Sequence, residues 1–170
     1  MESGKLLGPN QVGEIRIKHP YVLSGYHNLH KTDVFDEEGF FKLGDIGYYD
    51  DDHYVYVTDR MSEMFKYEHH HLSPADMEVY LLGHPAVAEV VVFGLPHVVD
   101  RNHPAACVVL KKEAQATEKE LIQYFNSKVA DPKQLRGGLM ITESLPRTPT
   151  GKVKRREARD MFIKAKKDHS

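Results

Sequence analysis

The chain has 170 residues, 41% of them hydrophobic and 28% charged, with 23 Lys+Arg against 25 Asp+Glu and a formal charge of −2. This suits one folded core or two small ones, and no apolar run approaches the ~20 residues of a membrane span. Cys107, the single cysteine, permits no internal disulfide, and Met1-Glu2-Ser3-Gly4-Lys5 lacks the basic flank and apolar block of a signal peptide, so an intracellular protein is expected.

In chain order, residues 13–19 (Gly-Glu-Ile-Arg-Ile-Lys-His) alternate apolar and polar, a strand pattern. Tyr54-Val55-Tyr56-Val57 follows the acidic turn Asp50-Asp51-Asp52-His53 and is expected to pair back on residues 46–49 as a hairpin. Beyond Asp59-Arg60 the character changes. Ser73-Pro74-Ala75-Asp76 is a helix start, with Ser as N-cap, Pro at the first helical position and an acid in the first turn. Met77, Tyr80 and Leu81 then share a face, and Gly83 closes the helix. Residues 87–94 and 105–112 are β-branched strand candidates. Thr117-Glu118-Lys119-Glu120 is a capping box, opening an apolar stripe of Leu121, Ile122, Phe125 and Val129 that stops before Pro132. Residues 139–142 are a short strand. Residues 154–166 are a basic helix with Ala158, Met161, Phe162 and Ala165 on one face. The result is a β-rich unit, 1–60, too small to bury a core of its own, and a compact α+β unit, 61–170.

Charge is distributed unevenly along these elements. Residues 1–60 carry a net −5, residues 61–132 a net −4 and residues 133–170 a net +7. A basic tail on an acidic body points to an anionic partner: a phosphate-bearing ligand, a nucleic acid or the body itself.

Four stretches offer chemistry. In Pro146-Arg147-Thr148-Pro149-Thr150-Gly151-Lys152-Val153-Lys154-Arg155, two prolines and a glycine shape a loop with Lys152 on a potentially mobile tip. A lysine there is a flexible point charge suited to a phosphate or carboxylate; residue types alone read first as a solvated basic loop, and the spacing is not that of a phosphate-binding Gly-x-x-x-x-Gly-Lys-Ser/Thr loop. In Leu43-Gly44-Asp45-Ile46 a carboxylate can accept ligand hydroxyls, or can serve a turn by bonding its own backbone. Glu68-His69-His70-His71 invites a metal, but neighbouring residues of an extended segment point to opposite faces and no partner set stands nearby at zinc spacing, so no metal site is expected. Cys107 reads as a small buried hydrophobe. Lys154-Arg155-Arg156 lacks the interleaved aromatics of a nucleic-acid reader, so no nucleic-acid partner is expected.

Several segments, in order, resemble one family. Tyr21-Val22-Leu23-Ser24-Gly25-Tyr26 and Gly39-Phe40-Phe41-Lys42-Leu43-Gly44-Asp45-Ile46 resemble the end of the large domain of AMP-forming acyl-CoA synthetases. Asp59-Arg60, Lys66-Tyr67, Ser73-Pro74-Ala75-Asp76-Met77-Glu78, His84-Pro85-Ala86-Val87, Gly94-Leu95-Pro96, Leu135-Arg136-Gly137-Gly138 and Pro149-Thr150-Gly151-Lys152 continue the match. It runs over nearly the whole chain and is most similar to the 4-coumarate–CoA ligase and insect luciferase-like branch.

The resemblance implies that residues 1–60 are the last β-rich piece of the large AMP-binding domain. Residues 61–170 would be the C-terminal lid domain, a small antiparallel sheet flanked by helices. It implies a ligase using a carboxylic acid, ATP with Mg2+ and coenzyme A: an acyl-adenylate forms first, then a thiol displaces AMP. Asp45 would hold the ribose hydroxyls with Arg60 assisting, and a hinge would lie near Met61-Ser62. Lys152 would serve the adenylation step and Lys66, after lid rotation, the thiol step. One departure stands out. After the Lys-Tyr pair the family runs Lys-Gly-x-Gln-Val, whereas this chain runs Glu68-His69-His70-His71-Leu72, placing a bulky ring where a glycine lets backbone approach the pantetheine channel. The phosphate loop, adenine pocket and acyl pocket belong to the family's large domain upstream of these residues, so this portion is expected to be inactive alone. The alternative is a non-enzymatic fragment that docks on a full-length synthetase domain or another partner. Cytoplasmic or peroxisomal location is expected, without the C-terminal peroxisomal tripeptide.

Overall fold

A computed structural model describes residues 5–22 and 34–168, so residues 23–26 of the family resemblance lie outside the described residues. The chain divides into two units, Met1–Glu63 and Met64–Ser170.

In the first unit, β1 (Gly13–Ile17), β2 (Phe41–Tyr49) and β3 (Val55–Arg60) form an antiparallel sheet in the order β1-β2-β3. The expected hairpin is present, with Tyr49 opposite Val55 and Tyr48 stacked on Tyr56 at 5.0 Å between ring centroids. Its turn is built by Asp50, whose Oδ1 accepts from the N–H groups of Asp52 (3.0 Å) and Tyr54 (2.9 Å), while Oδ2 accepts from the Tyr56 hydroxyl at 2.9 Å. These are the side-chain-to-backbone bonds that make Asp a turn residue. At Gly47 a side chain would run into the Tyr56 carbonyl, which is why the bulged centre of β2 carries glycine. β3 is an edge strand in this sheet, and Val55, Tyr56 and Val57 stand exposed along it, with Tyr54 exposed just before it.

The second unit is α+β, as the sequence predicts. β6 (Val87–His97) and β7 (Arg101–Leu110) form a long antiparallel hairpin, and β8 (Gly138–Ile141) joins β7 in parallel, so the three-stranded sheet is mixed. The parallel pairing follows from the crossover through a helix, since strands joined by a tight turn can only run antiparallel. β4 (Phe65–Tyr67) and β5 (His70–Leu72) make a separate small hairpin. Three helices accompany the sheet: α1 (Pro74–Leu82), α2 (Glu118–Asn126) and α3 (Arg155–Asp168).

Strand alternation distributes the core over both faces of the sheet. Val92, Ala106 and Val108 point to one face, where Met77 and Leu81 of α1 and Leu121 and Phe125 of α2 cover them. Val91, Phe93, Ala105 and Cys107 point to the other, against Ala158 and Phe162 of α3. Helix α1 starts as expected: the Ser73 hydroxyl accepts the Asp76 N–H at 3.1 Å, and Pro74 stands in the first turn. In α2 the capping box is reciprocal, Glu120 N–H to Thr117 Oγ1 at 3.2 Å and Thr117 N–H to Glu120 Oε2 at 2.7 Å. That helix stops at Asn126, where Ser127 donates its hydroxyl to the Tyr124 carbonyl at 2.7 Å; Val129 beyond it still packs against the core.

Cys107 is fully buried, and burial first, the Glu118 charge second, pushes its thiol up to about 12. An unfolded thiol ionises near ~8.5, so the contribution of Cys107 to stability is complete below that pH and is lost as pH rises toward 12. The folded chain at pH 8 is therefore expected to resist an aromatic disulfide reagent that labels it at once in denaturant. Rapid labelling of the native chain would contradict this placement.

Candidate functional site

Lys152 stands on a tight loop between β8 and α3. Arg147 and Val153 form an antiparallel bridge across it. Inside the bridge the Thr148 N–H donates to the Lys152 carbonyl (2.8 Å) and the Gly151 N–H to the Thr148 carbonyl (2.9 Å), while the Lys152 N–H donates to Thr148 Oγ1 at 3.1 Å. Gly151 sits at φ +87°, a conformation that side chains disfavour. Arg147 then donates to the Gly151 carbonyl and to Glu89 Oε2 on β6, both at 2.5 Å. This hydrogen bonding ties the backbone of the loop together beneath its exposed tip. The Lys152 side chain is exposed, and among the described residues its ammonium has no hydrogen-bond or ion-pair partner.

The downstream end of this loop is anchored by a contact that sequence reading missed. Arg155, the first residue of α3, pairs with Glu78 of α1 and donates to the Val92 carbonyl at 2.6 Å. Glu78 in turn accepts the Val92 N–H at 2.9 Å. A backbone pair in the middle of β6 is thus completed by an arginine and a glutamate from two helices, which fixes where α3 begins. No local pattern joins residues 78, 92 and 155, so only the fold reveals them.

Lys66 lies in β4 and points away from the core because its neighbours Phe65 and Tyr67 point in. The main chain here is held by the start of β7 and the turn before it: Asn102 Nδ2 donates to the Lys66 carbonyl at 2.8 Å, and the Glu68 N–H donates to the Asp100 carbonyl at 2.9 Å. The Arg136 guanidinium lies 4.8 Å from the Tyr67 ring centroid, and burial raises the Tyr67 phenol above its ordinary range. Lys66 itself is exposed, with no side-chain partner among the described residues. Glu68 and His69 form the turn to β5, and the left-handed residue is Glu68 at φ 48°, not His69. His69 lies in the turn while His70 and His71 lie in β5, and none of the three belongs to the metal-ligating trio found among the described residues. The cluster that does form, His97 with Asp100 and His103, lies at the far end of the β6–β7 hairpin and was not anticipated.

Asp45 and Arg60 belong to the first unit and face each other across β2 and β3. Arg60 Nε lies 2.9 Å from Asp45 Oδ1, yet that buried oxygen accepts no hydrogen bond, so the contact is electrostatic without aligned donation. Gly44, at φ +70°, shapes the strand beside it, and its carbonyl accepts the Met61 N–H at 2.8 Å. Asp45 is a strand residue here, and the two residues that the resemblance groups for one ligand are neighbours.

Comparison with known proteins gives a consistent match. Residues 76–152 correspond to the AMP-binding enzyme C-terminal domain, a span that begins in α1 and ends on Lys152. The chain is 39% identical to the luciferin 4-monooxygenase of Photinus pyralis over 98% of its own length and 31% of that protein. It is 41% identical to a probable 4-coumarate–CoA ligase of Dictyostelium discoideum over 94% of its length and 29% of that protein. The chain therefore spans about 30% of the length of these curated relatives. Among solved structures, ATP-bound MatB from Rhodopseudomonas palustris superposes with a TM-score of 0.86 at 28% identity, covering 95% of this chain and 32% of that one. The o-succinylbenzoate CoA synthetase of Bacillus subtilis, bound to its acyl-adenylate, gives 0.76 at 31% identity, covering 95% and 32%.

Proposed function

This chain carries the C-terminal domain of the adenylate-forming acyl-CoA ligase family, and on that premise we propose that it is the C-terminal part of an ATP-dependent acid–thiol ligase. The observation that carries the reading is a pair of exposed lysines without side-chain partners among the described residues, Lys152 and Lys66, each on a backbone pinned by hydrogen bonds.

The chemistry asks for two such cations. In the first step a carboxylate oxygen attacks the α-phosphate of ATP, pyrophosphate leaves, and charge gathers between two anions. Lys152 supplies a compact positive charge there without spending an existing ion pair. In the second step the thiol of coenzyme A attacks the acyl carbonyl and AMP leaves; Lys66, presented after the 61–170 lid turns about Met61-Ser62, serves that geometry. One site that must stabilise two different transition states gains from a lid with a different cation for each. Asp45, paired across the strands with Arg60, is the carboxylate that accepts the ribose hydroxyls, with Arg60 assisting. Mg2+ travels with the triphosphate; Lys152, Lys66 and Arg60 are cations and ligate no metal. The exposed apolar edge of β3 supports docking of residues 1–60 against the remainder of a large AMP-binding domain.

Full-length protein carrying these residues, given ATP, coenzyme A and a panel of fatty and aromatic acids, is expected to release AMP and pyrophosphate in equal amounts with one thioester. Release of ADP or orthophosphate as the nucleotide products would overturn the reading. The 170 residues alone are expected to show no pyrophosphate exchange.

A further inference from the structure

The turn of the β6–β7 hairpin gathers three side chains that the proposed ligase chemistry leaves unused. His97 is the last residue of β6 and lies opposite Arg101, while His103 lies opposite Leu95. His97 and His103 are therefore diagonal neighbours on one face of an antiparallel pair, and their rings stack at 3.8 Å with 19° between planes. Asp100 sits in the loop between them, followed by Arg101 at φ 70°, the left-handed residue that closes such a turn. Its Oδ2 lies 2.7 Å from His103 Nε2 and 3.2 Å from His97 Nδ1. One ligand atom from each of the three residues falls within 4.8 Å of the others, the only such trio among the described residues.

We propose that His97, Asp100 and His103 bind one divalent transition-metal ion, with Zn2+ as the test case. Two imidazole nitrogens and one carboxylate oxygen favour zinc and its neighbours over Mg2+ or Ca2+, which prefer oxygen alone. Three protein ligands leave one tetrahedral position for water, so the site is open and exchangeable. The donors are gathered but not yet aimed at one point: the rings stack nearly parallel and His97 Nδ1 accepts the Asp100 N–H at 3.2 Å, so binding has to break that bond and tilt the rings toward a common centre. The ion takes the place of the His103 Nε2–Asp100 Oδ2 hydrogen bond; at metal–ligand distances of ~2.0–2.1 Å tetrahedral ligand atoms stand about 3.3 Å apart, so that 2.7 Å pair opens by roughly 0.6 Å and the imidazoles re-aim around the ion. The backbone beneath is fixed, because the Asp100 carbonyl accepts the N–H groups of Glu68 and Asn102, both at 2.9 Å. Those bonds, with Asn102 Nδ2 on the Lys66 carbonyl, make the β4–β5 hairpin part of the site's support. Occupancy therefore stiffens the hairpin that carries Lys66.

Calorimetric titration of the chain with zinc chloride, in a buffer that does not chelate, tests this. One ion per chain is expected, with a rise in thermal midpoint that a chelator reverses. His97→Ala and His103→Ala are each expected to weaken binding by more than about tenfold, whereas alanine at His69, His70 and His71 together leaves it unchanged. Asp100→Asn, which keeps the size and donors of the turn, reads the same site if His103→Ala does not fold. Absence of zinc binding by the wild-type chain overturns the proposal. So does wild-type affinity in His97→Ala or in Asp100→Asn.

Discussion

Lys152→Ala is expected to slow acyl-adenylate formation roughly 10²–10³-fold in the full-length enzyme, the usual cost of removing one preorganised charge from a developing anion. Three observations set that magnitude. The ammonium is exposed and has no competing partner among the described residues, so it is available without first breaking an ion pair. The loop backbone is held by the Thr148–Lys152 bonds and by Arg147 on Glu89, so little is lost in fixing the tip. The attacking carboxylate and the phosphate are both negative, so a cation between them matters most as they approach. Lys152→Arg is expected to recover only part of the rate, because a planar fork does not replace a compact ammonium. Pyrophosphate exchange at saturating ATP measures the loss, and ATP affinity is expected to change little. An unchanged exchange rate in Lys152→Ala would remove this residue from the first step.

Phe162→Ala is expected to destabilise the second unit by about 3–5 kcal/mol, the range for emptying a buried phenylalanine site. Phe162 is 1% exposed, meets Phe93 edge-on at 5.6 Å and, with Ala158, is the part of α3 that covers Val91, Ala105 and Cys107. Against a typical total of roughly 5–15 kcal/mol, such a loss leaves little margin. A urea midpoint measured by circular dichroism would register it; a shift below ~1 kcal/mol would mean that α3 is not a pillar of this core. The same substitution loosens the helix whose first turn, through Arg155 on Glu78 and the Val92 carbonyl, anchors the Lys152 loop. Activity is therefore expected to fall with stability.

The sequence spoke most clearly where a feature depends on residues close together. The Ser73 cap and the Thr117–Glu120 box span three positions each, and both form as the pattern predicts. The stripes of α2 and α3 identified Leu121, Phe125, Ala158 and Phe162 as core. Non-local features were less legible. The outer ends of β6 and β7 carry Pro96 and Pro104, which read against strand; they are tolerated because β8 pairs only with residues 105–108, leaving the outer ribbon two-stranded. The direction of β8 is invisible in a run of four residues. Tyr80, expected beside Met77 and Leu81, is partly exposed and only edges Phe125.

For the site, residue types alone described Lys152 as a solvated basic loop. The ordered match of many short segments made it the leading candidate, and the fold adds that its backbone is held and its ammonium unpaired. The Glu78–Arg155 clamp and the His97–Asp100–His103 trio were missed for opposite reasons. The first joins three distant segments. The second is local, with histidines at i and i+6 about an aspartate at i+3, but it becomes a cluster only through hairpin register.

The most direct test of the two-cation account separates the half-reactions in the full-length enzyme: pyrophosphate exchange for the first, single-turnover thioester formation from supplied acyl-adenylate for the second. Lys152→Ala is expected to lose the first and keep most of the second, while Lys66→Ala does the reverse. Equal losses in both half-reactions from both substitutions would contradict a lid that offers a different lysine to each step.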